Sequence, residues 1–354
     1  MNKLVYTPFY GGKLMASYRA AVIGCGRIGS TIDDEQTHRP QFRYPWAHAP
    51  AYIEAKGVDL VAGSDVSKEQ LEDFKRRWNV TALYTDYKEM LAKEKPDIVS
   101  VTTKTTERAE VVITTAEAGV KAIYATKPIS RTLAEADAMI DACRKHGVIF
   151  AMACHKNWSP WLQMCLQSIR RGDIGEFSSM VANYSWSFNG GHSHTLALFR
   201  QFADAPAKWV FGHMNSDEAA AGEKDLQGTG IILYENGIRG FLNNGGWLNI
   251  DFIGRDGWFS CRNEHADFEM WSRHPDTREP IRRQFPNPKR PRSSQQAAVE
   301  GIVKNLDDGT EPFCPGEYGR EALEIAVALR ESHRRGGEKI ELPVTDRSLG
   351  FDIP

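Results

Sequence analysis

Three glycines placed directly behind an apolar run constrain this chain more than any other feature. The run "YRAAVIG" leads into "VIGCGRIG", so Gly24, Gly26 and Gly29 stand as G-x-G-x-x-G between a predicted strand and a predicted helix, with Arg27 and Ile28 inside the turn. Glycines there let the backbone approach a pyrophosphate held at a helix N-terminus. The next stretch keeps that implication. As far as Ala153, apolar runs at "DLVAGSD", "DIVSVTT", "KAIYAT" and "VIFAMAC" alternate with segments of helical period such as "SKEQLEDFKRRW" and "TLAEADAMIDACRKHG". That is the order of βαβ units, which build a parallel sheet. The second helical segment opens on Thr132 with Glu135 three residues on and closes on Gly147. This is a capping box at one end and a glycine stop at the other.

After Cys154 the rhythm changes to aromatic-rich runs of period two: "FSSMVANYSWSF", "GTGIILYENGIRGFLNN", "GWLNIDFIG", "GWFSC" and "ADFEMWS". The turn signals at 235–237 and 256–257 separate them and predict an antiparallel sheet. Two helices are predicted to follow, Ser294 to Asp308 and Gly316 to Arg335, and "REPIRRQFPNPKRPRSS" reads as a solvated loop. A length of 354 residues suggests two domains at roughly 100 to 200 residues each. The expected fold class is α/β: a doubly wound Rossmann domain over 18–154, then an α+β domain over 155–343 with a large, mostly antiparallel open sheet. An arm over 1–17, with Met15 as an alternative start, and a tail over 344–354 complete the division.

Composition excludes several classes of partner. A net charge of -2 supplies no basic field for nucleic acid or an anionic membrane. No apolar stretch is long enough to span a bilayer, and the start lacks the pattern of a secretion signal. Six cysteines without metal-ligand spacing read as reduced thiols of a cytoplasmic protein, and no metal is expected.

The second predicted strand ends in Asp65, whose carboxylate can accept both hydroxyls of an adenosine ribose and would repel a 2′-phosphate. NAD is therefore expected over NADP. The interval from Gly29 to Asp65 exceeds the usual figure of about 20 residues, and the excess is "TIDDEQTHRPQFRYPWAHAP". That stretch reads either as a lid over the carboxyl edge of the sheet or as a plain surface loop.

Taken in order, these motifs resemble the Gfo/Idh/MocA family of sugar and cyclitol oxidoreductases, over roughly residues 18 to 343. The family pattern is a glycine-rich turn, an acid after strand two, a Thr-Pro loop after strand four, a Glu-Lys-Pro after strand five and a histidine-bearing helix in the second domain. Here it appears as "GCGRIG", Asp65, "TTKTTERAE", "ATKPIS" and "GGHSHTLALFRQFADAP". Taken alone, Lys127 is a strand-end lysine reaching solvent. The resemblance instead implies that it lies beside the nicotinamide and touches the hydroxyl or carbonyl being transformed. A strand-end ammonium in a partly dry pocket can stabilise a developing alkoxide, and its pKa falls on desolvation. His194 inherits the role of general base, for which an imidazole suits neutral pH. His192 either lines the same pocket or caps the helix. Thr102 and Thr103 join the glycine turn, Asp65 and Lys127 as expected cofactor contacts.

Several positions depart from the pattern. Thr126, Gly190 and Ala197 stand where the family usually has carboxylates, whereas Lys104, Arg108, His155 and Lys156 bring basic groups to the strand ends. Their coincidence suggests a pocket for an anionic group, with Asn157 and Trp158 of "CHKNWSP" as further substrate contacts. Trp158, Trp161, Trp186 and Phe188 could offer a face to a sugar ring, although tryptophan on a sheet more often packs. The leading expectation is an NAD-dependent oxidoreductase acting on a sugar, cyclitol or glycoside. The alternative is a glycosidase that oxidises transiently, eliminates, adds water and returns the hydride; the third is a non-catalytic sensor. The family resemblance also implies a homodimer or homotetramer formed by pairing sheets.

Overall fold

The computed structural model describes residues 18–35, 44–263, 267–285 and 292–353. The arm over 1–17 and part of the 31–50 insertion lie outside them. Six strands form the first sheet: β1 (Tyr18–Ile23), β2 (Val58–Ser64), β3 (Ala82–Tyr84), β4 (Ile98–Val101), β5 (Ala122–Ala125) and β6 (Ile149–Met152), in the order β3-β2-β1-β4-β5-β6. All neighbours are parallel. Helices cover both faces, so β4 and β5 are buried along their whole length and read as continuous apolar runs. The edge strand β3 was not anticipated: three half-buried residues carry no periodic signal. Strand order reverses between β1 and β4, and ligands of such sheets bind in the crevice outside the carboxyl ends there. The capping box forms as expected, with Glu135 N donating to Thr132 Oγ1 (3.2 Å) and Thr132 N to Glu135 Oε2 (3.3 Å).

The second sheet has nine strands: β7 (Phe177–Asn183), β8 (Ala207–Met214), β9 (Gly228–Tyr234), β10 (Arg239–Asn243), β11 (Asn249–Gly254), β12 (Gly257–Arg262), β13 (Asp267–Arg273), β14 (Pro280–Arg283) and β15 (Ile340–Glu341). Their order is β14-β13-β12-β11-β7-β10-β9-β8-β15, antiparallel throughout except where β10 runs parallel to β7. Two expectations change. Strand β7 stops at Asn183, and the period-two run continues into a turn at 187–192. The charged segment after Arg278 is not all loop, because Pro280–Arg283 adds an edge strand to β13.

The helix Gly316–Arg334 crosses the inner face of this sheet so closely that a Cβ on Gly230 would sit 2.5 Å from Leu329 Cδ2. The tail then returns to the first sheet's layer. Arg347 pairs with Asp137 (2.7 Å) and with Glu324, and Phe351 N donates to Arg131 O (2.9 Å). Among the described residues no helix is long and apolar enough to cross a membrane.

Candidate active site

At the sheet's reversal point Gly24 takes φ +94°, and a Cβ there would come within 2.9 Å of Thr102. One on Gly29 would run into Gly24 O. Thr102 Oγ1 donates to Gly24 O (2.5 Å) and Ile23 O (3.1 Å), locking the turn to the end of β4. Gly26, by contrast, faces open space, with Gln70 Oε1 the nearest atom at 3.9 Å. Asp65 closes the second side, its carboxylate accepting from Cys25 N (2.8 Å) and Ser67 N (2.9 Å). A carboxylate beside an uncluttered glycine turn fits a dinucleotide, pyrophosphate over the turn and ribose at the acid. Arg27 is exposed and pairs with Glu35 (2.7 Å), while Ile28 is half-buried.

Lys127 leaves the end of β5 and extends away from the first sheet, where Nζ donates to Gly190 O at 2.7 Å. Burial pushes its pKa down, and the nearby charges of Arg108 and Arg27 add to the fall while Cys154 and Asp225 oppose it. Gly190 belongs to the turn that enters the helix Ser193–Ala203, whose second residue is His194. The His194 ring lies 4.0 Å, centroid to centroid, from His155, and His155 lies 5.5 Å from Trp46 of the insertion. Lys127 is thus bonded to the turn that leads into the helix carrying His194.

Residues 18–154 match the oxidoreductase family GFO_IDH_MocA, described by its NAD-binding Rossmann fold. Residues 18–154 therefore form a domain of the Gfo/Idh/MocA family. D-apiose dehydrogenase of Paraburkholderia graminis is 30% identical over 158 residues, 45% of this chain but 38% of that protein. Myo-inositol 2-dehydrogenase of Thermotoga maritima is 24% identical over 337 residues, 89% of this chain and 96% of that protein. Among solved structures, levoglucosan dehydrogenase in complex with NADH superposes with a TM-score of 0.77 at 17% identity, covering 92% of this chain and 99% of that one. The last comparison speaks for the fold alone.

The expected substrate contacts divide. Lys104 is exposed at the N-cap of the helix Thr105–Glu117. Arg108 is buried and donates to Pro128 O and to Thr103 O (2.5 Å), with its pKa pushed down to about 10 by desolvation. The guanidinium braces the loops after β4 and β5. Asn157 and Trp158 are buried likewise. Asn157 Nδ2 donates to Ala197 O (3.0 Å), and the Trp158 indole donates to Met152 O (2.9 Å) with its ring sealed in the core. Their neighbourhood in sequence to His155 suggested the crevice, but the short helix His155–Trp158 turns them inward.

Lys156 is also buried, its Nζ bonded to Thr195 Oγ1 (2.9 Å) and 5.6 Å from the Tyr184 ring centroid. His192 occupies the N-cap position of its helix but makes no side-chain cap bond. It is fully buried, one ring nitrogen lies 3.1 Å from Tyr184 O, and burial beside Lys156 lowers its pKa to about 4. Phe188 is buried, and Trp161 stacks on Phe268; Trp186 alone of the proposed ring platforms is half exposed, stacked on Tyr184 at 5.2 Å. Sequence reasoning missed Asp225, whose two oxygens accept from Asn189 N (2.8 Å) and Gly190 N (2.6 Å). An isolated aspartate in a polar loop carries no motif that could have revealed it.

Proposed function

We propose that the protein transfers a hydride between NAD and a secondary alcohol or ketone of a sugar, cyclitol or glycoside. The observation that carries the reading is Lys127 Nζ at 2.7 Å from Gly190 O, on the turn leading to His194. A lysine held there can donate to a substrate oxygen entering beside that carbonyl, stabilising the alkoxide that develops as hydride leaves carbon. His194 takes the hydroxyl proton on oxidation and returns it on reduction. The nicotinamide, when bound, supplies the hydride acceptor. Relatives named as dehydrogenases of apiose and myo-inositol support the sugar and cyclitol class.

Asp65 supports NAD over NADP. Asp65→Ala is expected to weaken NAD more than NADP, by about 1 to 3 kcal/mol, as read by calorimetric titration of both dinucleotides. Lys104 is the one exposed member of the expected basic set and carries the reading of an anionic substrate. The His155–His194 ring pair favours a second reading, the redox-neutral glycosidase, because His155 supplies a base for the proton made acidic beside a new carbonyl. Neutral sugars, uronates and their glycosides, incubated with NAD while NADH and released aglycone are both followed, separate the two. Net NADH supports the dehydrogenase, aglycone without NADH supports the glycosidase, and binding without turnover of any compound removes both.

The outward row Phe211, Ile231 and Phe241 on adjacent strands supports pairing of the second sheet with another copy. Six buried free cysteines support the cytoplasm as its compartment.

A further inference from the structure

We propose that Asp225 is the positioning residue of the active site: it sets where the Gly190 carbonyl stands and thereby where Lys127 presents its ammonium. The inference rests on the reading of Lys127 given above. Both carboxylate oxygens are used on consecutive amides, Asn189 N at 2.8 Å and Gly190 N at 2.6 Å, and Leu226 O takes Phe188 N at 2.8 Å. Three successive amides of the turn are thus held by two adjacent residues of one loop. The carbonyl of the same Gly190, in the next peptide unit, accepts from Lys127 Nζ (2.7 Å) and from Ser193 Oγ (3.3 Å), at the start of the helix that carries His194. The carboxylate fills the space a side chain at 190 would need, since a Cβ there would come 3.2 Å from Asp225 Oδ2 and 2.7 Å from Ser187 Oγ.

A positioning group must itself be held, and this one is. Arg334 donates to the carbonyls of Ala220 (2.6 Å) and Gly222 (2.7 Å), and the Glu223 carboxylate meets Arg330 (3.0 Å) and Arg334 (3.1 Å). The tail adds Asp352 N to Glu223 O at 2.7 Å. The loop carrying Asp225 is therefore anchored on the end of the long helix, independent of the turn it steadies. Charge acts along with position. The groups facing Lys127 are Cys154, Arg108, Asp225 and Arg27, and Asp225 opposes the fall in its pKa.

The test is Asp225→Asn in the full chain, read in three ways. Competitive labelling of Lys127 with acetic anhydride across pH, followed by peptide mass spectrometry, needs no substrate and is expected to show its titration at lower pH than in wild type. The kcat with whichever sugar of the panel turns over is expected to fall about tenfold to a hundredfold, with its alkaline limb shifted toward acid. NAD affinity by calorimetry is expected to stay within about threefold, because Asp225 touches the turn and not the glycine cradle. Coincident labelling curves, kcat within about threefold of wild type, or parallel loss of NAD affinity each overturn the proposal. If the Asn variant does not fold, Asp225→Glu keeps the charge and displaces the carboxylate: kcat is expected to fall while labelling follows wild type, and unchanged kcat overturns the proposal. An active Lys127→Met variant would instead sink the functional reading, leaving the labelling result to stand by itself.

Discussion

The two walls of the candidate site are built by opposite means. On the first, Lys127 stands at the end of β5 with Pro128 behind it, on a strand buried between parallel neighbours. On the second, the turn before His194 is held by Asp225 across 35 residues, and the helix it enters by Lys156 across 39 and by Asn157 across 40. One wall is a strand end, where a parallel sheet always collects its functional groups. The other is irregular backbone that must find a partner for each buried amide and carbonyl. Local order announces itself in sequence, and borrowed order does not.

That contrast has measurable consequences. Lys127→Met, which deletes the charge and keeps most of the stem, is expected to cut kcat by roughly a hundredfold to a thousandfold while calorimetry finds NAD affinity largely intact. Activity within about threefold of wild type would return Lys127 to a plain strand-end residue. Arg108→Met tests the first wall's dependence on a long-range brace. Two half-buried carbonyls, Pro128 O and Thr103 O, would lose their donor, at a cost to stability of roughly 2 to 4 kcal/mol by urea unfolding. A substrate contact would behave differently: KM would rise and stability would hold.

The second wall is expected to be sensitive to acid. His192 has its folded pKa depressed to about 4 by burial next to Lys156, with Tyr184 and Phe188 around the ring. The unfolded chain takes up a proton near pH 6.5, and the folded chain does not until about pH 4. Between those values the unfolded state binds more protons, so stability falls as pH falls, by about 2 kcal/mol at pH 5 from this group. His192→Gln is expected to flatten that share of the slope in urea unfolding followed from pH 7 to pH 4.5. An unchanged slope would mean that the imidazole is solvated. His48, whose folded pKa is lowered to about 3 in the first domain, keeps its own share in both proteins.

Much of the fold was legible because its signals are short in range. The glycine turn, the Thr132–Glu135 box and the hairpins at 235–237 and 256–257 each need only a few neighbouring residues to be recognised. The edge strands β3, β14 and β15 were missed because two to four residues at a sheet's margin take their conformation from the strand beside them. The burial of Asn157 and Trp158 was illegible for a related reason. A helix of four residues rotates successive side chains by about 100°, so neighbours of His155 in sequence point into the core.

The sequence by itself determined the parallel sheet, the glycine cradle, the acid at the end of β2 and the lysine at the end of β5, since strand period, turn chemistry and strand-end position are local properties. Only the tertiary structure decided which charged groups stay exposed and which are spent inside. Arg108 and Lys156 look alike to Lys104 as letters, yet burial obliges the first two to satisfy Pro128 O, Thr103 O and Thr195 Oγ1, whereas Lys104 stays exposed. The same obligation, that buried polar groups be paired, brought Asp225 to the backbone beneath Lys127's partner carbonyl, and no local pattern encodes such a pairing.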